Sequence, residues 1–168
     1  ELLAIPEGRR WYDMMQAGKG ADAAMEMIMA FGAGTFPKGM IYAPGTQAYR
    51  SAWQGEIKAA EAYNDPGRFT AFIGFEWTSN TGANNLHRNI IFRNDEVPAI
   101  PTSYYEQPLV EGLFGVLEDD CLDVPGNCDF VSIPHNSNVS GGLMFESANA
   151  DGSPLTRADA ERRAAHEP

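Results

Sequence analysis

An α/β fold is predicted for this chain by three observations. Two segments in the first 63 residues carry apolar residues at helical spacing. The run FTAFIGFEW (69–77) is almost continuously apolar, rich in aromatic and β-branched residues, and reads as a strand buried on both faces, as in parallel or barrel sheets. Two further strand-like segments, HRNIIFR and DFVSIPHNSN, are separated by a helical stretch, which gives the helix–strand alternation of α/β architecture.

The elements follow in order. Residues 11–31 (WYDMMQAGKGADAAMEMIMAF) show helical periodicity, and five of the seven methionines fall in this stretch. A Met-rich ligand site is conceivable there, but packing of helix cores is the expected role. Residues 32–46, rich in Gly and Pro, read as a loop. Ser51 is placed as the N-cap of SAWQGEIKAAEAYN, whose Trp53, Ile57, Ala60 and Ala62–Tyr63 form one apolar face, and Pro66–Gly67 ends it. After the strand at 69–77, the polar linker SNTGANNL leads to the second strand. If residues 78–86 fold back, the start of that strand lies beside the end of the first. Leu109–Leu117 is a helix starting after Pro108, and the third strand follows the segment DDCLDVPGNCDF. Cys121 and Cys128 flank a turn at Pro125–Gly126–Asn127. A local disulfide, suited to a periplasmic or secreted protein, and a pair of free cysteines in a surface loop both fit. A zinc knuckle does not, since there is no CxxC.

Composition sets bounds on function. The chain has 168 residues, 43 % apolar and 21 % charged, which suits one globular domain with a real core. A formal net charge of −11 with scattered Lys and Arg argues against nucleic acid as a partner. A small anionic ester is still admissible, because metal cations can supply local positive charge. No apolar run is long enough to span a membrane. Neither terminus looks natural: the chain starts without Met or a signal peptide and stops within a charged helical run, so it is expected to be an internal fragment.

Functional side chains in α/β folds collect at the carboxyl ends of strands. Glu76 ends the FTAFIGF strand, where an unpaired carboxylate in a dry core would cost several kcal/mol. His135 ends VSIPH, before the polar cluster Asn136–Ser137–Asn138, and His87 opens HRNIIF. Imidazole plus carboxylate suits Zn, Mn or Fe. Taken alone, each residue also has an ordinary use: Glu76 as a cap or ion-pair partner, His87 as a surface hydrogen-bonding group, His135 as a turn-fixing residue. No G-x-S-x-G elbow supports a serine hydrolase, Gly141–Gly142 reads as a loop, and His166 as solvent-exposed.

The blocks FTAFIGFEWTS, NNLHRNIIFR and SIPHNSNVSGGLMF resemble the signature segments of a bacterial family, domain of unknown function 3604. AYNDPGRFTAF and RRAAHEP resemble its flanking segments, so the likeness covers residues 51–168, with 1–50 similar to a variable insertion. That family is similar to the PHP (polymerase and histidinol phosphatase) superfamily, which implies a distorted, TIM-like α/β barrel around two or three divalent metals. By position, the resemblance implies that Gly74–Phe75–Glu76 supplies a carboxylate bridging two metals. It implies that His87 and His135 each ligate one, and Pro134–His135–Asn136 departs from the usual Ala–His–Pro-like order. A metal-dependent hydrolase is implied, a phosphoesterase first, acting on an anionic small-molecule ester. Arg88 and Asn136 are the candidate substrate-binding residues; the alternative is a non-catalytic binding or structural module. The family's His–x–His, Asp–His and C-terminal ligands are missing. They are expected before Glu1 and after Pro168, so the rest of the polypeptide is needed to complete the site, and the fragment alone is expected to be inactive.

Overall fold

The computed structural model describes residues 2–41, 43–79, 84–145, 147–148 and 152–168. The chain forms two compact units, Glu1–Ala43 and Pro44–Pro168. The first holds α1 (Pro6–Gln16) and α2 (Gly20–Gly32). The single periodic segment expected over 11–31 is therefore two helices. The Gly18–Lys19–Gly20 stretch breaks it, with Gly18 in the left-handed region at φ 76°, where a side chain is disfavoured. Trp11 is buried, stacks on Phe36 at 5.6 Å and donates its indole N–H to Glu26 Oε2 at 3.0 Å. The expected core role of the methionines does not hold for Met15, Met25 and Met29, which are 56 %, 58 % and 66 % exposed.

In the second unit, α3 spans Gln47–Tyr63. It begins one turn before the expected Ser51, because the Thr46 hydroxyl accepts the Tyr49 N–H and caps it there. Trp53, Ile57 and Ala60 face the core as expected, and the Trp53 indole donates to the Pro98 carbonyl at 2.8 Å. Tyr63 instead points to solvent.

The sheet contains β1 (Gly74–Trp77), β2 (Arg88–Phe92) and β3 (Phe130–Pro134), in that order and antiparallel throughout. This corrects two expectations. The first strand starts at Gly74 rather than Phe69, and Phe69 and Phe72 are exposed. The sheet is neither parallel nor buried on both faces. The fold is mixed helix and strand, and among the described residues the sheet stays open rather than closing into a barrel. Side chains alternate across a strand, so one face carries Phe75, Trp77, Arg88, Ile90, Phe92, Phe130 and Ser132. That face packs on Trp53 and on Leu113, Phe114 and Leu117 of α4 (Val110–Leu117). Burying each of these large side chains contributes roughly 1.5–3 kcal/mol. The other face, with Glu76, Asn89, Ile91 and Ile133, is only partly covered.

A π-helical turn, Glu118–Leu122, continues α4 and carries Cys121, which is disulfide-bonded to Cys128. The last helix, α5 (Arg157–His166), starts in a capping box between Thr156 and Asp159. Its far end is clamped by charge. Arg162 grips both oxygens of Glu118 at 2.7 and 2.6 Å, and Arg163 meets Glu111 at 2.9 Å. His166 is not solvent-exposed as expected: its ring stacks on Phe130 at 4.8 Å and its Nε2 lies 2.7 Å from Glu118 Oε1. The Arg162 hydrogen bonds, with help from His166, hold the Glu118 carboxyl below its ordinary pKa.

Candidate metal centre

The open face of the sheet gathers the three expected ligands by register alone. Trp77 lies opposite Arg88, so the chain does fold back between β1 and β2, and Glu76 faces Asn89. His87 immediately precedes β2, and its carbonyl accepts the His135 backbone N–H at 3.2 Å, which ties the end of β3 to the start of β2. Glu76, His87 and His135 thus come from three neighbouring strand ends. One donor atom from each residue lies within 4.8 Å of the others. Glu76 Oε1 is 2.8 Å from His87 Nδ1 and 3.8 Å from His135 Nε2, and the two imidazoles sit edge to face at 5.9 Å.

Two ligands about 2.1 Å from one tetrahedral ion stand about 3.4 Å apart. The observed spacings bracket that figure, so small rotations of side chains bring all three onto one ion. The donor chemistry, two imidazole nitrogens and a carboxylate, suits Zn, Mn or Fe. His87 adds a further observation. Its Nδ1 is the nitrogen turned toward Glu76 Oε1, 2.8 Å away. Its Nε2 is buried with no hydrogen-bond partner among the described residues, a state that costs about 1–3 kcal/mol.

Local backbone features hold the site in place. A Cβ on Gly74 would sit 2.6 Å from the Ile90 carbonyl oxygen, so the glycine of Gly74–Phe75–Glu76 is required for β1 to approach β2 closely. Asn136, directly after His135, adopts the left-handed conformation at φ 57°, which Asn tolerates better than most residues, and turns the chain away from β3. The Asn136 side chain is exposed beside His135.

Arg88 is elsewhere. One residue after His87, it points through the sheet to the packed face, is 2 % exposed, and gives its Nε to Glu167 Oε1 at 2.6 Å. Its guanidinium also lies 5.9 Å from the Trp77 ring centroid. The expectation that it holds an anionic oxygen of substrate at this site meets a residue fully committed to structure.

Asn89 is not among the residues the sequence points to, yet its Oδ1 lies 3.1 Å from His135 Nε2. Strand alternation from His87 would have pointed to it, since residues 87 and 89 share a face. Beside the site, Glu56 accepts the Gly74 N–H at 3.3 Å. It helps line a groove of about 350 Å³ that also reaches Glu76 and Asn89, and burial raises its carboxyl above the ordinary range.

No curated protein and no solved structure matches the chain. The model of one family, described as "Protein of unknown function (DUF3604)", matches residues 1–168, so the match takes in the first 50 residues as well, and the chain belongs to that family.

Proposed function

We propose that this protein is a metal-dependent hydrolase of small anionic esters, a phosphoesterase first, with Glu76, His87 and His135 as metal ligands. The observation that carries the reading is the convergence of one carboxylate and two imidazoles, from three strand ends, within 4.8 Å. The resemblance of the surrounding blocks to PHP proteins supports it, and with it a complete site of two or three Zn, Mn or Fe ions in a TIM-like barrel. Divalent ions at such a site supply Lewis acidity, polarising an ester and making water a better nucleophile near neutral pH.

The chain's own residues do the positioning. Glu76, on β1 opposite Asn89, would supply the carboxylate to such ions, and His87 Nδ1, 2.8 Å from its Oε1, would supply an imidazole beside it. His135 approaches from the other side of the same face. Asn136, exposed at the turn, is the side chain placed to touch a substrate. With a net charge of −11, the protein needs cations to draw an anionic ester to this face. The Cys121–Cys128 disulfide favours an oxidising compartment, the periplasm in a bacterium.

A second reading, a binding or structural module without catalysis, draws on the 2.8 Å pairing of His87 with Glu76, which satisfies both groups partly without an ion. The two separate in one experiment. Hydrolysis of p-nitrophenyl phosphate by protein supplied with Mn²⁺ or Zn²⁺ is expected to vanish in Glu76→Gln while the circular dichroism spectrum is retained. Undiminished hydrolysis in that variant would remove Glu76 from the mechanism.

A further inference from the structure

We propose that Asn89 is a fourth donor of this centre, its side-chain oxygen taking the same ion as His135; the inference rests on the metal reading above. Asn89 sits in the central strand directly opposite Glu76 and on the face that carries all three ligands. It is half-buried, and its Oδ1 is 3.1 Å from His135 Nε2. That nitrogen also faces Glu76 Oε1, at 3.8 Å. Nε2 therefore faces two oxygens, one from β2 and one from β1.

Without an ion, a proton on Nε2 makes this a hydrogen bond. To ligate a metal through Nε2, His135 must give up that proton. Two lone pairs then face each other across 3.1 Å, an arrangement that is repulsive unless a cation lies between them. The separation is close to the roughly 3.4 Å between neighbouring ligands of a tetrahedral ion, so Asn89 and His135 can share one with little movement. Turning the amide would present its N–H₂ to Nε2 and compete with the ion for the same lone pair. The result is a centre of two nitrogens and two oxygens, with a neutral amide as the oxygen donor on β2. An added oxygen shifts preference toward harder ions such as Mn²⁺.

Calorimetric titration with Zn²⁺ and with Mn²⁺, on the protein in its natural sequence context, tests this with four variants: Asn89→Leu, Asn89→Asp, Glu76→Gln and His135→Ala. Asn89→Leu is expected to weaken Mn²⁺ binding by at least the roughly 10- to 100-fold that loss of a supporting partner costs. Asn89→Asp, which keeps the oxygen and adds charge, is expected to tighten it about 10-fold or more. Weakened binding in Asn89→Asp overturns the proposal. So does a Zn²⁺ complex in which nitrogen NMR puts the ion on His135 Nδ1 and a proton on Nε2, the pattern of an Asn89 that only accepts a hydrogen bond. Wild-type affinity in Asn89→Leu, with binding lost in Glu76→Gln and His135→Ala, also overturns it and leaves the metal reading standing. A wild-type protein that binds neither ion removes both.

Discussion

Replacing Arg88 by Met tests whether this residue belongs to the sheet or to the substrate. The Arg88 side chain is 3 % exposed and that of Glu167 is 14 % exposed, so the pair is screened poorly by water. Met keeps most of the aliphatic stem but leaves the Glu167 carboxylate with its 2.6 Å partner gone. Breaking a buried pair from one side costs about 3–5 kcal/mol. A direct estimate agrees: two unit charges about 4 Å apart at an effective dielectric constant of 20 attract by about 4 kcal/mol. Urea unfolding followed by tryptophan fluorescence reports the loss, because Trp53 and Trp77 lie in the same core. The double variant Arg88→Met/Glu167→Gln is expected to recover much of it, since no unpaired charge is left behind. A single variant within about 0.5 kcal/mol of wild type, as for an unremarkable surface site, would refute the structural assignment.

Two other outcomes follow from the same unit. Closing a loop over a sequence separation of 7 removes roughly 2.4 kcal/mol of chain entropy from the unfolded state, so Cys121→Ala/Cys128→Ala is expected to lower unfolding free energy by about that amount, measured by denaturant titration. Glu118 titrates below its ordinary pKa in the folded protein, so between that depressed value and about 4.3 the unfolded state binds more protons. Its stabilisation is present above about 4.3 and is lost as pH falls through the folded value. Glu118→Gln should flatten the acid limb of a stability–pH profile, and an unchanged limb would contradict the clamp on α5.

Much of the site was legible because strand chemistry is local. A glutamate after an apolar run, and histidines at either end of such runs, read as strand ends from their immediate neighbours, whereas the return of the chain between the first two strands enters only as a condition. What the sequence concealed was long-range. An apolar run from Phe69 to Trp77 cannot itself say which neighbour it pairs with, so the strand of an antiparallel sheet with one open face carries the same local pattern as a doubly buried one. The same ambiguity hides the division of labour around β2, where alternation sends His87 and Asn89 to one face and Arg88 to the other. The sequence neighbours of His166 are charged, which suggests solvation; its burial comes from Phe130, Phe114 and Glu118, the last of them 48 residues away, a separation that periodicity does not reach. The break at Gly18 and the cap at Thr46 were readable in principle, and an earlier N-cap would have been found by giving Thr46 its weight.

Glu76, His87 and His135 are proposed to hold a divalent metal. The most direct test is the metal content of the protein purified in its natural sequence context, by plasma mass spectrometry, beside His135→Ala. At least one equivalent of Zn, Mn or Fe in the wild type, falling in the variant, is the predicted result. A well-folded wild type with no metal would contradict it, and the three residues would then be polar strand ends, with His87 and Glu76 paired at 2.8 Å.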